Sequence, residues 1–175
     1  MKIEKTEKKE TCCDVIPAEV IKLLEEQLVN EIHNMRVYQT FAVYFNNIGL
    51  NSLYSYYKTR AYEEFHHYSN ICEFLDNNLV KYNFIEIPEC KIDIKNSIDP
   101  FELTVQLELD TTDAFYEIYE LAEKNHDYIT MQWLMKPNGL IEEQSEEMRT
   151  SYKALEIANM NLDWISKADA IFKLL

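Results

Sequence analysis

Glycine and proline are scarce: the 175 residues hold two of the first and four of the second. A β-sandwich or barrel needs a turn every ~8–12 residues, so an all-β fold is excluded and long helices are the natural reading. No apolar run approaches the ~18 residues of a membrane-spanning helix. The segment Met1–Glu10 is charged throughout and lacks the apolar core of a signal peptide. No contact with a membrane is expected. Positive charge is also short, with 17 Lys and Arg against 31 Asp and Glu, a net charge of −14. A nucleic-acid binder needs a basic face, so nucleic acid is excluded as a partner and cations are favoured. Four cysteines, Cys12, Cys13, Cys72 and Cys90, make no Cys-x-x-Cys pair and read as incidental thiols of a reduced cytoplasm.

What is present is long-range helical periodicity, in a chain of one ordinary domain's length. Residues 1–16 alternate Lys and Glu and read as a mobile tail. Pro17 opens a helix whose stripe runs Val20, Leu24, Leu28, Met35, Tyr38, Ala42, Phe45 in steps of three and four. Gly49 is placed to end it in a left-handed conformation. A second helix spans about Asn51 to Asn77-Asn78, with Tyr57, Ala61, Tyr68, Ile71 and Leu75 on its stripe. Residues 79–98 have no clean period. A structureless stretch of that length suits a four-helix bundle whose one long crossover runs along the whole bundle. Asp99-Pro100-Phe101-Glu102 is a helix start with Asp99 as the expected cap, and the third stripe continues through Val105, Phe115, Tyr119 and Ala122. After a turn at Asn125–Tyr128, a fourth rod meets Lys136-Pro137-Asn138-Gly139, where a kink or restart is expected. It resumes at Leu140. A short amphipathic piece from Trp164 to Leu175 closes the chain. The expected domain organisation is a tail over 1–16, a bundle over 17–160 and a short helix over 161–175.

Acids interrupt these stripes. Glu31, Glu64, Glu108 and Glu143 or Glu147 occupy apolar positions, each near the middle of its helix. Glutamate is almost never fully buried unless paired. An unpaired carboxylate in a dry core costs several kcal/mol, and four at one level would also repel each other. A metal ion removes both penalties. Glu64-Phe65-His66-His67 adds glutamate and histidine at i and i+3, on one helix face. Carboxylates from separate helices with a Glu-x-x-His element form the ligand logic of carboxylate-bound metal pairs, suited to iron or manganese, with zinc possible.

Glu31 followed by Tyr38, Glu63-Glu64-x-x-His67, Glu108, and Glu143-Gln144-Ser145-Glu146-Glu147 resemble the pattern of the non-haem bacterial ferritins, over about residues 20–175. The turn Asn125-x-Asp127-Tyr128 is similar to that family's turn between its third and fourth helices. The resemblance implies an all-α, ferritin-like four-helix bundle with one long crossover and a short C-terminal fifth helix. It implies a di-iron centre: Glu31, Glu64 and His67 hold one iron, and Glu64 bridges to a second iron held also by Glu108 and Glu147. Glu63, Glu143 and Glu146 match a third, weaker iron position. Tyr38 matches a tyrosine that hydrogen-bonds a ligand and donates an electron. No haem is implied, since position 146 is Glu where bacterioferritins repeat a Glu-x-x-His, and position 65 is Phe where their haem methionine would stand.

The resemblance departs at Lys136–Gly139, which holds about three extra residues and no carboxylate in the region where family members approach an iron-entry pore. The turn before the last helix also lacks the family's glycines. The implied function is a cytoplasmic subunit that oxidises ferrous to ferric iron with dioxygen or peroxide, and stores it as mineral in a homo-oligomer of 24 subunits. Two rivals stand beside it. One is a di-iron peroxidase or oxidase without storage, close to rubrerythrin chemistry. The other is a cage or metal-buffering subunit without catalysis. His33, His66 and His126 read as surface or satisfied residues.

Overall fold

The computed structural model describes residues 15–175, and the cysteines of the expected tail, Cys12 and Cys13, lie outside them. Six helices follow in order: α1 (Ala18–Asn47), α2 (Asn51–Asn77), α3 (Asp99–Lys124), α4 (Tyr128–Met135), α5 (Leu140–Asn159) and α6 (Trp164–Phe172), with no strand among the described residues. The rods α1 and α2 form one hairpin. The third rod, α3, packs along a fourth made of α4 and α5 in series, α1 faces α3, and α6 lies against α2 and α5. This is a four-helix bundle with one crossover and a short terminal helix, as the stripes require. The crossover 80–98 has no regular structure and runs the bundle's length, with Tyr82 against one core cluster and Ile92 and Ile94 against the other. Ile16, assigned to the tail from its surroundings in sequence, is fully buried, so the core begins one residue ahead of Pro17.

Three helix ends share one geometry. Leu50 N–H reaches Phe45 O while Gly49 N–H reaches Asn46 O; Val80 and Leu79 repeat the pattern on Leu75 and Asp76, and Asp127 and His126 on Ala122 and Glu123. Each pair satisfies carbonyls the helix leaves open, through a left-handed residue. That residue is Gly49 (φ +79°) in the first case but Leu79 (φ +55°) and His126 (φ +57°) in the others. Asp99 differs from expectation. It is the first helical residue, and its carboxylate turns back to accept from Lys95 N–H and Asn96 N–H, while Ile98 takes the cap position. Asp127 and Asp163 are the side-chain caps, accepting from Thr130 N–H and from Ile165 and Ser166 N–H.

The fourth rod is broken where proline predicts. Residues 136–139 leave the helix, with Asn138 in the left-handed region. Gly139 is required for space: a Cβ there would sit 2.7 Å from Lys136 O and 2.8 Å from Leu134 O. Restarting at Leu140 gives α5 a register of its own, separate from that of α4.

The apolar core is divided. One cluster holds Val37, Phe41, Phe45, Leu53, Tyr57, Phe101, Ala154 and Ile171. The other holds Val20, Leu24, Leu28, Ile71, Leu75, Phe115, Leu134 and Leu140. On all four rods the positions between them are polar and buried, among them Gln27, Glu31, Arg60, Glu64, His67, Glu108, Gln144 and Glu147. The bundle therefore has two apolar ends and a polar waist.

Candidate metal centre

Helical spacing builds the waist. Glu31 comes from α1, Glu64 and His67 from successive turns of one face of α2, Glu108 from α3 and Glu147 from α5. All five are buried, at 0, 1, 3, 1 and 8% exposure respectively. One donor atom each from Glu31, Glu64 and His67 lie within 4.8 Å of one another, and the same holds for Glu64, Glu108 and Glu147. Glu64 belongs to both groups.

Several of these atoms have no partner. Glu31 Oε2, Glu64 Oε2, His67 Nδ1 and Glu147 Oε2 are buried without a hydrogen bond. Buried polar atoms are ordinarily paired, and an orphan costs about 1–3 kcal/mol, more when charged. A cluster of orphaned carboxylate oxygens with an imidazole nitrogen is a donor set that fits a hard or borderline cation such as iron, manganese or zinc.

The remaining lone pairs are held in place. Gln27 Nε2 donates to Glu31 Oε1 at 2.6 Å, and Gln144 Nε2 donates to Glu108 Oε2 at 2.7 Å. The Tyr38 hydroxyl donates to Glu108 Oε1. Burial, followed by the charges of Glu108 and Glu64, raises the Tyr38 pKa well above its usual value, so the phenol stays protonated as a donor. Arg60 also enters the waist. Its Nη2 lies 2.5 Å from Glu108 Oε1, and its Nη1 lies 2.8 Å from Glu63 Oε2 and 3.2 Å from Glu147 Oε1.

Electrostatics follow from burial. Burial, then Glu31, Glu108 and Glu147, push the Glu64 carboxyl well up. Burial takes Glu147 to about 7 against the opposing pull of Arg60 and His67. For His67, burial acts downward, but Glu147, Glu143 and Glu31 outweigh it and raise the imidazolium pKa. Glu143, whose Oε2 lies 3.6 Å from His67 Nε2 and which is partly exposed, is lowered by that imidazole. A site that resists its own ionisation is one a cation would stabilise.

Glu63, Glu143 and Glu146 lie outside the waist, on the seam between α2 and α5. They line a cavity of about 270 Å³ together with Arg60, His66, His67, Glu147, Thr150, Leu174 and Leu175. His66 is exposed there, His126 is exposed elsewhere, and His33 is partly buried. Sequence reasoning passed over Arg60, Gln27 and Gln144. The signal for Arg60 and Gln27 was available: each stands one turn before a waist glutamate, on the same stripe.

A helical bundle with one long crossover and a carboxylate-lined waist is the architecture of the ferritin-like class. The chain belongs to the ferritin family, whose sequence model, described as a ferritin-like domain, matches residues 21–160. It is similar to the bacterial non-heme ferritin of Staphylococcus haemolyticus, at 26% identity over 83% of this chain and 86% of the relative. It is similar also to that of Staphylococcus saprophyticus, at 28% identity over 74% and 75%. Among solved structures, an open pore ferritin from Archaeoglobus fulgidus superposes with a TM-score of 0.82, at 21% identity, over 91% of this chain and 97% of that one. Among the described residues, no helix is long and apolar enough to cross a membrane.

Proposed function

We propose that this chain is a ferritin subunit that oxidises ferrous iron inside its own bundle and stores the ferric product in a multi-subunit shell. The observation that carries the reading is the pair of donor groups sharing Glu64, with orphaned atoms on Glu31, Glu64, His67 and Glu147. Glu31, Glu64 and His67 would hold one ion, and Glu64, Glu108 and Glu147 the second. Two ferrous ions give one electron each to dioxygen, which takes up two protons and leaves as hydrogen peroxide; peroxide in turn accepts two electrons as an alternative oxidant. Clustered carboxylates favour the more highly charged ferric state. Tyr38 positions Glu108 and stands near enough to act as a donor to the same chemistry. Glu63, Glu143 and Glu146 offer a weaker stop on the way out through the α2–α5 cavity.

Two features support the shell. Exposed apolar side chains are available for contact with further copies, including Tyr62 at 71% exposure, Leu79 at 89% and Phe84 at 71%, the last with its ring edge-on to Tyr82. The relatives in Staphylococcus and Archaeoglobus carry the ferritin name. A cytoplasmic setting and a haem-free centre belong to the same reading. Glu64→Ala removes the donor shared by both groups, and fast iron oxidation, followed by absorbance after aerobic ferrous loading, should be lost. A wild-type rate in that variant defeats the assignment. Size-exclusion mass of the loaded protein separates the rival: a particle of many chains rich in iron is storage, and a dimer with about two metals per chain is the oxidase or peroxidase.

A further inference from the structure

A cation already occupies part of the waist. The Arg60 side chain is 3% exposed, and its guanidinium is shared among Glu108, Glu147 and Glu63. Arginine keeps its proton in proteins, so this charge cannot be titrated away. The two donor groups are consequently unlike. In the group of Glu31, Glu64 and His67, Glu31 Oε2, Glu64 Oε2 and His67 Nδ1 are free of hydrogen bonds. In the other group, Glu108 is fully engaged: Oε1 accepts from Tyr38 and Arg60, and Oε2 accepts from Gln144. Glu147 keeps one free oxygen and gives the other to Arg60.

We propose that Arg60 is a resident counter-charge at the second metal position, so that the centre fills in two unequal steps. The first ion enters among Glu31, Glu64 and His67 against no positive neighbour other than the histidine it deprotonates. The second needs Glu108 and Glu147, and reaches them only when the guanidinium leaves. Breaking a buried ion pair without replacing it is strongly unfavourable. Here the incoming ion replaces the guanidinium at both carboxylates, and Arg60 has a place to go. Its Nη1 is already bonded to Glu63, a wall of the α2–α5 cavity that Glu143 and Glu146 also line. Swinging outward keeps one ion pair and moves the arginine into an acidic recess. Arg60 is thus a positioning residue that sets the order of loading.

This inference rests on the iron reading above, and its test distinguishes the two. Isothermal titration of the metal-free protein with Zn²⁺ alone, and separately with Mn²⁺ alone, measures sites per chain without redox chemistry. The expected wild-type result is one tight site and a second at least about tenfold weaker, a difference of about 1.4 kcal/mol. Arg60→Met, which keeps length and removes charge, should bring the two affinities within tenfold. Arg60→Lys, which keeps charge without the fork, should leave them apart. Should Arg60→Met fail to fold, anomalous scattering from wild-type crystals soaked at rising Zn²⁺ decides the matter. One peak among Glu31, Glu64 and His67 must precede a second beside Glu108, and the second must coincide with a guanidinium turned toward Glu63. Equal filling of both positions with Arg60 still bridging Glu108 and Glu147 overturns the inference and leaves the iron reading intact. No ion at either position overturns both.

Discussion

Tyr38 on α1 donates its buried hydroxyl to Glu108 on α3, seventy positions away in sequence, and so fixes the oxygen that Arg60 also holds. Removing that hydroxyl tests how far the centre depends on preset orientation. Tyr38→Phe keeps the ring in its apolar cluster but leaves Glu108 Oε1 with Arg60 alone. Denaturant titration should show a loss of about 1–3 kcal/mol, as expected for a hydrogen bond to a charged group. Iron oxidation should slow while Zn²⁺ stoichiometry stays as in the wild type. An unchanged midpoint together with an unchanged rate would show that the hydroxyl positions nothing.

The metal-free protein should be less stable at neutral pH than under mild acid. Glu64 and Glu147 have folded-state pKa values above their ordinary 4.5, with Glu147 near 7. Between those values the folded chain binds more protons than the unfolded one, so stability falls as pH rises through the window. His67 acts in the same direction, because its raised pKa supplies stability that is present below 6.5 and is lost as pH climbs past the folded value. Glu143, which is lowered, pulls the other way only below about 4.5. The thermal midpoint of metal-free protein should therefore be higher at about pH 5 than at about pH 8, and added Mn²⁺ should reverse the order by binding the ionised form. A midpoint that rises with pH in the absence of metal contradicts the account.

The two glycines should fail for different reasons. At Gly49, φ is +79° and open space surrounds the missing Cβ, so alanine meets only backbone strain, about 1–2 kcal/mol. At Gly139, φ is ordinary but the Cβ would press on Lys136 O and Leu134 O. Alanine there must displace the 136–139 break, at about 1–3 kcal/mol, and shift the start of α5. Gly139→Ala should thus weaken Zn²⁺ binding through Glu147, and Gly49→Ala should not. Calorimetry on both variants checks the contrast.

The rods and the waist were legible because burial writes itself in threes and fours. Glu31, Glu64 and Glu108 stood out where leucine belonged, the fourth rod offered Glu143 or Glu147 and only the second is buried, and the break in that rod was announced by Pro137. What escaped notice was of two kinds. Arg60, Gln27 and Gln144 lie on the same stripes, but a reading that looks for ligands looks for acids and imidazoles, and passes over the donors that orient or neutralise them. The left-handed residues Leu79 and His126 carry no mark of their conformation. There the burial of Val80 and Asp127 immediately afterwards forces the reversal, a tertiary demand that outweighs the residue's own preference. Asp99 fell between: the helix start was plain, but its carboxylate could serve either the helix or the crossover, and Lys95 and Asn96 took it.

The seam between α2 and α5 opens one flank of the interior. Arg60, His67 and Glu147 belong both to the waist and to the wall of that recess, so any solute bound for Glu31 or Glu108 from this side meets those three side chains first. A bulky chelator should strip bound ions at a pace governed by how often those side chains clear the recess, and removing Leu174 and Leu175 from its lining should quicken the exchange without touching a single donor atom.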